Sequence, residues 1–188
     1  MSHSLSMNQQ IGNIREPKYK RIIIVGGGFA GLKIARKLSN TKYQVVIIDK
    51  NNYHQFQPLF YQVATAGLEP SAISFPFRRV FQDKKNVHFR IARLQEVELE
   101  KKQIKTDIGE LTYDYLLICT GADTNYFGLK NIEQNALAMK STGEALTIRN
   151  TILENYEKAL NTNDKNEEGC RKCRRKWRKF LVKHREKT

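Results

Sequence analysis

The first sustained apolar run in the chain is "RIIIV", Arg21 to Val25, and no polar residue alternates within it. A strand with one wet face alternates apolar and polar positions, whereas a strand covered on both faces does not. The run is β-branched and short, so it predicts a buried parallel strand. The period then changes: Ala30, Ile34, Ala35 and Leu38 recur at the three- and four-residue spacing of a helix. A second apolar run, Gln44 to Ile48, predicts another buried strand and ends in Asp49. Between about Asn86 and Tyr115 the pattern is one of short strands, "VHFRIARL", "EVELEKK", "QIKTD" and "ELTYD". Turn signals at Lys101-Lys102 and Ile108-Gly109-Glu110 separate them. An apolar strand returns in "YLLICTGA". The last pattern, "STGEALTIRNTILENYEKAL", predicts a helix opened by a capping box at Ser141 and Glu144. Its apolar face runs through Ala145, Ile148, Ile152, Tyr156 and Leu160.

Chemistry enters at the first strand-to-helix junction, where Gly26, Gly28 and Gly31 fall in G-x-G-x-x-G register. The first glycine permits a tight turn, the second lets a pyrophosphate approach the backbone, and the third lets helix and strand pack closely. The helix start, with Phe29 and Ala30, offers N–H groups and the positive end of its dipole to phosphate. Asp49 lies 21 residues beyond Gly28 at the end of the second strand, where a carboxylate can accept hydrogen bonds from ribose hydroxyls. A glycine-rich turn alone binds nothing in particular. Strand, glycines, helix, strand and acid in that order predict a dinucleotide site.

A plain dinucleotide-binding domain would continue βαβαβ, but this chain inserts an antiparallel meander before its next apolar strand. That order resembles the two-dinucleotide-binding flavoprotein oxidoreductases, in which a strand ending in an Ala-Thr-Gly turn borders the flavin. Here the turn is Cys119-Thr120-Gly121, and Cys119 sits in an apolar run that suits packing. A closer resemblance lies in Tyr53-His54, Phe56 and the segment Pro58-Leu59-Phe60-Tyr61-Gln62-Val63-Ala64-Thr65. These are similar to the type II, non-proton-pumping NADH dehydrogenases (NADH:quinone oxidoreductases). The match extends from about Arg21 to Leu160. No cysteine occurs between Asp49 and Pro70, so the dithiol relay of related disulfide reductases has no place there. Sulfide:quinone and ferredoxin reductases share the architecture, and fold does not settle function.

The resemblance implies an α/β fold: a Rossmann-like FAD-binding domain with a parallel sheet and an antiparallel β-meander crossover, incomplete at its C-terminus. It implies a disordered lead-in over 1–20, the FAD domain over 21–140, a helix over 141–162 leading toward a missing NADH-binding domain, and a basic tail over 163–188. Gly26, Gly28, Phe29, Ala30, Gly31 and Asp49 would hold the ADP half of FAD, with Lys50 beside them. Gln62 and Thr65 would lie near the flavin ring, and Thr120 and Gly121 would close over the cofactor from the other side. For Tyr53 and His54, loop packing and a site role weigh equally. No catalytic residue is assigned. NADH and a quinone would be the reaction partners, on an enzyme peripheral to the inner face of the cell membrane. Family members are often dimeric.

Composition changes this picture in one place. Of the formal charge of +14, the 24 residues from Lys165 contribute +8, from 11 Lys/Arg against 3 Asp/Glu. Over the whole chain, hydrophobic residues at 40% and charged residues at 28% are ordinary for a globular protein. No run approaches the roughly 20 apolar residues of a membrane span, and the polar N-terminus lacks a signal-peptide core. Three cysteines make no disulfide framework, which points to a reducing, cytoplasmic setting. Metal chemistry is not expected: His54 has no companion at ligand spacing, and Cys170-x-x-Cys173 is half a zinc motif. The basic burst "GCRKCRRKWRKF" could serve a stand-alone dinucleotide-binding module as a nucleic-acid or anionic-membrane tail. It begins, however, where the family's next strand should start, and its composition suits translation out of frame. Reading the gene in its other two frames beyond Asn166 is expected to reveal an apolar strand followed by a second G-x-G-x-x-G. If neither frame contains one, the tail is not a frameshift product.

Overall fold

A computed structural model describes Ile11 and residues 14–161 of the chain. The described residues divide into two compact units, one of those up to His54 with Phe75–Ala122, the other of Gln55–Ser74 with those from Asp123 onward. The 21–140 span therefore contributes to both. The basic tail and its two cysteines lie outside the described residues.

The first unit is built on a four-stranded parallel sheet. Its strands are β1 (Arg21–Val25), β2 (Gln44–Asp49), β5 (Val87–Ile91) and β9 (Tyr115–Ile118), in the order β5-β2-β1-β9. Arg21 pairs with Gln44 and Val25 with Ile48 along β1 and β2, while Val25 pairs with Ile118 of β9. Successive side chains on a strand point to opposite faces. Ile22, Ile24, Val45 and Ile47 accordingly face one core, with Ala35 of α1 (Phe29–Leu38) and Phe77 of α3 (Phe77–Val80). Ile23, Val25, Val46 and Ile48 face the other, with Ile104 and Leu111 of the meander. Both faces are covered, which is why the strands read as unbroken apolar runs.

The meander itself has three antiparallel strands, β6 (Leu94–Glu98), β7 (Gln103–Thr106) and β8 (Gly109–Thr112). The segment "VHFRIARL" is not one strand. It breaks after Ile91, so that β5 joins the parallel sheet beside β2 and only Leu94 onward enters the meander.

Residues before β1 also depart from the expected disordered lead-in where they are described. Ile11 and Ile14 are buried in the meander-side core, and the Ile11 N–H donates to Glu110 O at 3.1 Å. Two isoleucines three apart in a polar stretch leave too thin a pattern to read as an element. The described lead-in is also held by Arg21, whose side chain is 2% exposed. The guanidinium donates to Gln44 Oε1 (2.6 Å), to the carbonyl and hydroxyl of Thr112 (both 3.1 Å) and to Arg15 O (3.2 Å). Glu16 lies 3.5 Å away as its ion-pair partner. A buried guanidinium is stable only when its donors are satisfied, and here they tie β1, β2, β8 and the lead-in together.

The chain passes into the second unit along β3 (Tyr53–Gln55) and returns along β4 (Ser74–Pro76), which pair as a two-stranded sheet. The second unit contains α2 (Phe60–Ala64), α4 (Lys130–Asn135) and α5 (Thr142–Asn161). Phe60, Val63, Ala64 and Ile73 bury against Ala145 of α5. The capping box forms in both directions: the Glu144 N–H donates to Ser141 Oγ (3.2 Å) and the Ser141 N–H to Glu144 Oε2 (3.0 Å). The expected apolar face of α5 is buried at its start, but Leu160 is exposed. Among the described residues no helix is long and apolar enough to cross a membrane.

Replacing Arg21 with alanine removes donors from part-buried carbonyl and amide oxygens and empties the buried space of its side chain; an unmet buried acceptor costs about 1–3 kcal/mol. Urea denaturation of Arg21→Ala is expected to show a loss of about 2–4 kcal/mol.

Candidate dinucleotide-binding site

Beyond Val25 the chain turns sharply at Gly26, which has φ of 99°, in the left-handed region that side chains avoid. A Cβ there would overlap the Cys119 carbonyl oxygen and come within 2.9 Å of the Thr120 nitrogen. The Gly26 N–H donates to Ile48 O (2.8 Å) and the Cys119 N–H to Val25 O (2.7 Å). The turn is thus enclosed by the carboxyl ends of β2 and β9, the end of a parallel sheet at which ligands bind. Gly31, in the first turn of α1, is buried, and a Cβ on it would overlap the Gly26 carbonyl oxygen.

Gly28 is different. Its φ of −65° and ψ of −165° suit any residue, and a Cβ would meet nothing within 4 Å. Among the described residues no atom requires glycine at this position. The open space is what a pyrophosphate approaching the backbone would need, so the residues present fit a dinucleotide. Gly28 is the N-cap of α1, where no side chain caps the helix and no acidic residue occupies the first turn. Within the helix itself no charge offsets the positive end of its dipole, and the Asp49 carboxylate on the Gly27 N–H is the negative group beside it. Phe29 and Ala30, both exposed, complete this helix start.

Asp49, at the end of β2, faces the same turn. Its Oδ2 accepts the Gly27 N–H at 2.6 Å and its Oδ1 accepts the Asn51 N–H at 2.8 Å. A carboxylate has about four lone-pair sites, so acceptor capacity remains for a ribose hydroxyl. Lys50 beside it is exposed. Thr120 and Gly121 follow β9, both exposed, with Gly121 at φ 74°. Cys119 is half-buried and packs with the α1-side core, in keeping with a packing role. Gln62 and Thr65 belong to the second unit. There the Gln62 carbonyl accepts from Gly67 N (2.7 Å), Leu68 N (3.2 Å) and Thr65 Oγ1 (3.3 Å), closing the end of α2.

Sequence reasoning missed Gly27, which occupies a variable position of the motif. Its N–H is held by Asp49, its carbonyl lies 2.9 Å from His54 Nδ1, and a Cβ on it would overlap the Phe77 ring. The signal available was the run of three glycines, Gly26 to Gly28.

The family model for pyridine nucleotide-disulphide oxidoreductases matches residues 20–162. The chain belongs to that family. Its members are FAD-binding proteins, and the curated relatives that this chain resembles include NADH:quinone and NAD(P)H-ubiquinone oxidoreductases. It is 32% identical over 160 residues to the type II NADH:quinone oxidoreductase Ndh of Mycobacterium tuberculosis, covering 83% of this chain and 35% of that protein. It is also 32% identical over 155 residues to an external alternative NAD(P)H-ubiquinone oxidoreductase of Arabidopsis thaliana mitochondria, covering 76% and 26%. Among solved structures, NDH2 of Plasmodium falciparum in complex with NADH superimposes with a TM-score of 0.72 at 29% identity, covering 79% of this chain and 32% of that one. This pyridine nucleotide-disulphide oxidoreductase chain spans about a third of the length of such relatives.

The glycines separate by cause, and substitution should sort them. Gly28→Ala is expected to cost at most about 1 kcal/mol, the difference between glycine and alanine as an N-cap. Gly31→Ala should cost at least about 3 kcal/mol, because backbone must move. Urea denaturation of the two variants checks this; equal losses would mean that Gly28 is a structural glycine.

Proposed function

We propose that this chain is the FAD-binding part of an NADH:quinone oxidoreductase. The observation that carries the reading is Gly28, a glycine of ordinary conformation facing open space at the uncapped start of α1. Membership of a flavin-binding family and the names of the relatives support FAD as the occupant. The meander between β5 and β9 supports it too, since a plain nicotinamide-binding domain lacks one.

In this role Gly26, Gly28, Phe29, Ala30 and Gly31 supply the turn and the N–H groups for the pyrophosphate. Asp49 accepts from ribose hydroxyls, with Lys50 alongside. Thr120 and Gly121 border the cofactor at the end of β9, and Gln62 and Thr65 offer polar groups to the flavin ring. When bound, the flavin supplies the acceptor for a hydride from NADH and the route by which two electrons reach a quinone. The residues of this chain bind and orient; none takes the hydride. Quinones dissolve in lipid, so on this reading the working enzyme meets its acceptor at a membrane surface, which the family resemblance would make the inner face of the cell membrane. The 188 residues contain one glycine cradle, and NADH would need a second.

Purified chain is expected to be yellow, with a flavin absorbance spectrum. Its NADH oxidation with a soluble quinone is expected to run at least about 100-fold below that of a full-length relative, because misplaced reactants alone cost that much. A colourless chain that takes up no FAD sinks the reading. Salt-dependent retention on DNA without flavin would favour a binding module with a basic tail.

A further inference from the structure

His54 is buried, yet nothing in the proposed chemistry uses it. Its ring meets Phe29 edge-on at 5.2 Å (82°) and Phe77 at 6.5 Å (68°). Packing alone would be served by any aromatic ring. What an imidazole adds is the Nδ1 contact, 2.9 Å from the carbonyl oxygen of Gly27. A carbonyl can only accept, so Nδ1 must carry the proton and donate it.

The consequence lies one atom further along. The described peptide bonds include no cis form, so the carbonyl of Gly27 and the N–H of Gly28 point in opposite directions from one rigid plane. Holding the carbonyl on the His54 side directs the Gly28 N–H to the other. Gly27 cannot turn about its own position either, because Asp49 Oδ2 holds its N–H and the Phe77 ring fills the space beside its Cα. A glycine pair has more freedom than any other dipeptide, and here that freedom is removed from outside.

We propose that His54 is a positioning residue of the dinucleotide cradle: by donating Nδ1–H to the Gly27 carbonyl it fixes the Gly27–Gly28 peptide so that the Gly28 N–H stands ready as a donor to the pyrophosphate. This rests on the reading of the cradle as an FAD site. A donor already oriented costs nothing to align when the anion arrives, and a hydrogen bond to a charged group is among the stronger ones.

Two measurements on the full chain test it. Nitrogen NMR of the His54 ring in the flavin-free wild type, at a pH where the imidazole is neutral, should show the Nδ1–H tautomer. The FAD dissociation constant, followed by flavin fluorescence, should rise about tenfold or more in His54→Phe, which keeps the ring and loses the donor. His54→Asn, whose Nδ2 stands close to the place of Nδ1, should recover to within about threefold, the scale of a modestly displaced hydrogen bond. Thermal midpoints of the flavin-free proteins separate a lost donor from a lost fold. An Nε2–H tautomer, an unchanged dissociation constant in His54→Phe, or a His54→Asn variant as weak as His54→Phe each overturns the role of His54. A wild-type chain that takes up no FAD overturns the flavin reading itself, and the Gly28 donor role with it, whatever the tautomer.

Discussion

Helix α1 begins in backbone contact with the turn that precedes it: a single methyl group on Gly31 would overlap the Gly26 carbonyl. That approach fixes the helix against the sheet and brings Ala35 into the core beside Ile22 and Ile24. It also sets the helix N-terminus at the carboxyl ends of β1, β2 and β9, since Gly26 is hydrogen-bonded to Ile48 and packed on Cys119. The site therefore follows from close packing rather than being added to it. A larger residue at Gly31 would push the helix away and carry the donor groups with it.

The glycines that share one motif do so for different reasons. Gly26 has a positive φ, Gly31 has a neighbouring backbone, and Gly27 has an aromatic ring where a side chain would go. Gly28 has none of these, and that absence of an internal cause is what makes it informative. Among the described residues nothing requires glycine there, and the space beside it is open to a ligand.

Three strands of the parallel sheet were legible because a short apolar run without alternation suits a strand covered on both faces, and β1, β2 and β9 fell where the runs did. The capping box gave the start of α5 to within a residue. Legibility failed where a signal depended on partners distant in sequence. Ile11 and Ile14 are core residues only because the meander, about 100 positions later, covers them. The division of "VHFRIARL" between two sheets likewise depends on which neighbour each half finds. Of the site, the spaced glycines and Asp49 could be read from sequence, but the clamp on Gly27 could not. His54 and Phe77 lie 27 and 50 positions away and carry no periodic mark.

Those two residues also fasten the excursion into the second unit. The chain leaves the first unit after His54 and re-enters it at Phe75. His54 donates to the Gly27 carbonyl, while Phe77 fills the space at the Gly27 Cα and meets the His54 ring. The Phe77 N–H in turn donates to Asn52 O at 3.0 Å. Both ends of the 20-residue excursion are therefore tied to each other and to the middle glycine of the turn. Loop-closure entropy rises only slowly with length, so exposed insertions in the excursion cost little, whereas Phe60, Val63 and Ile73 are held by the core they form with Ala145. Of the residues that carry the resemblance to type II NADH dehydrogenases, Phe56 and Pro58 to Thr65 lie within the excursion, while Tyr53 and His54 stand just before it. The cradle turn is thereby constrained from two sides by residues that flank the excursion, so a change at His54 or Phe77 reaches the Gly27 backbone directly.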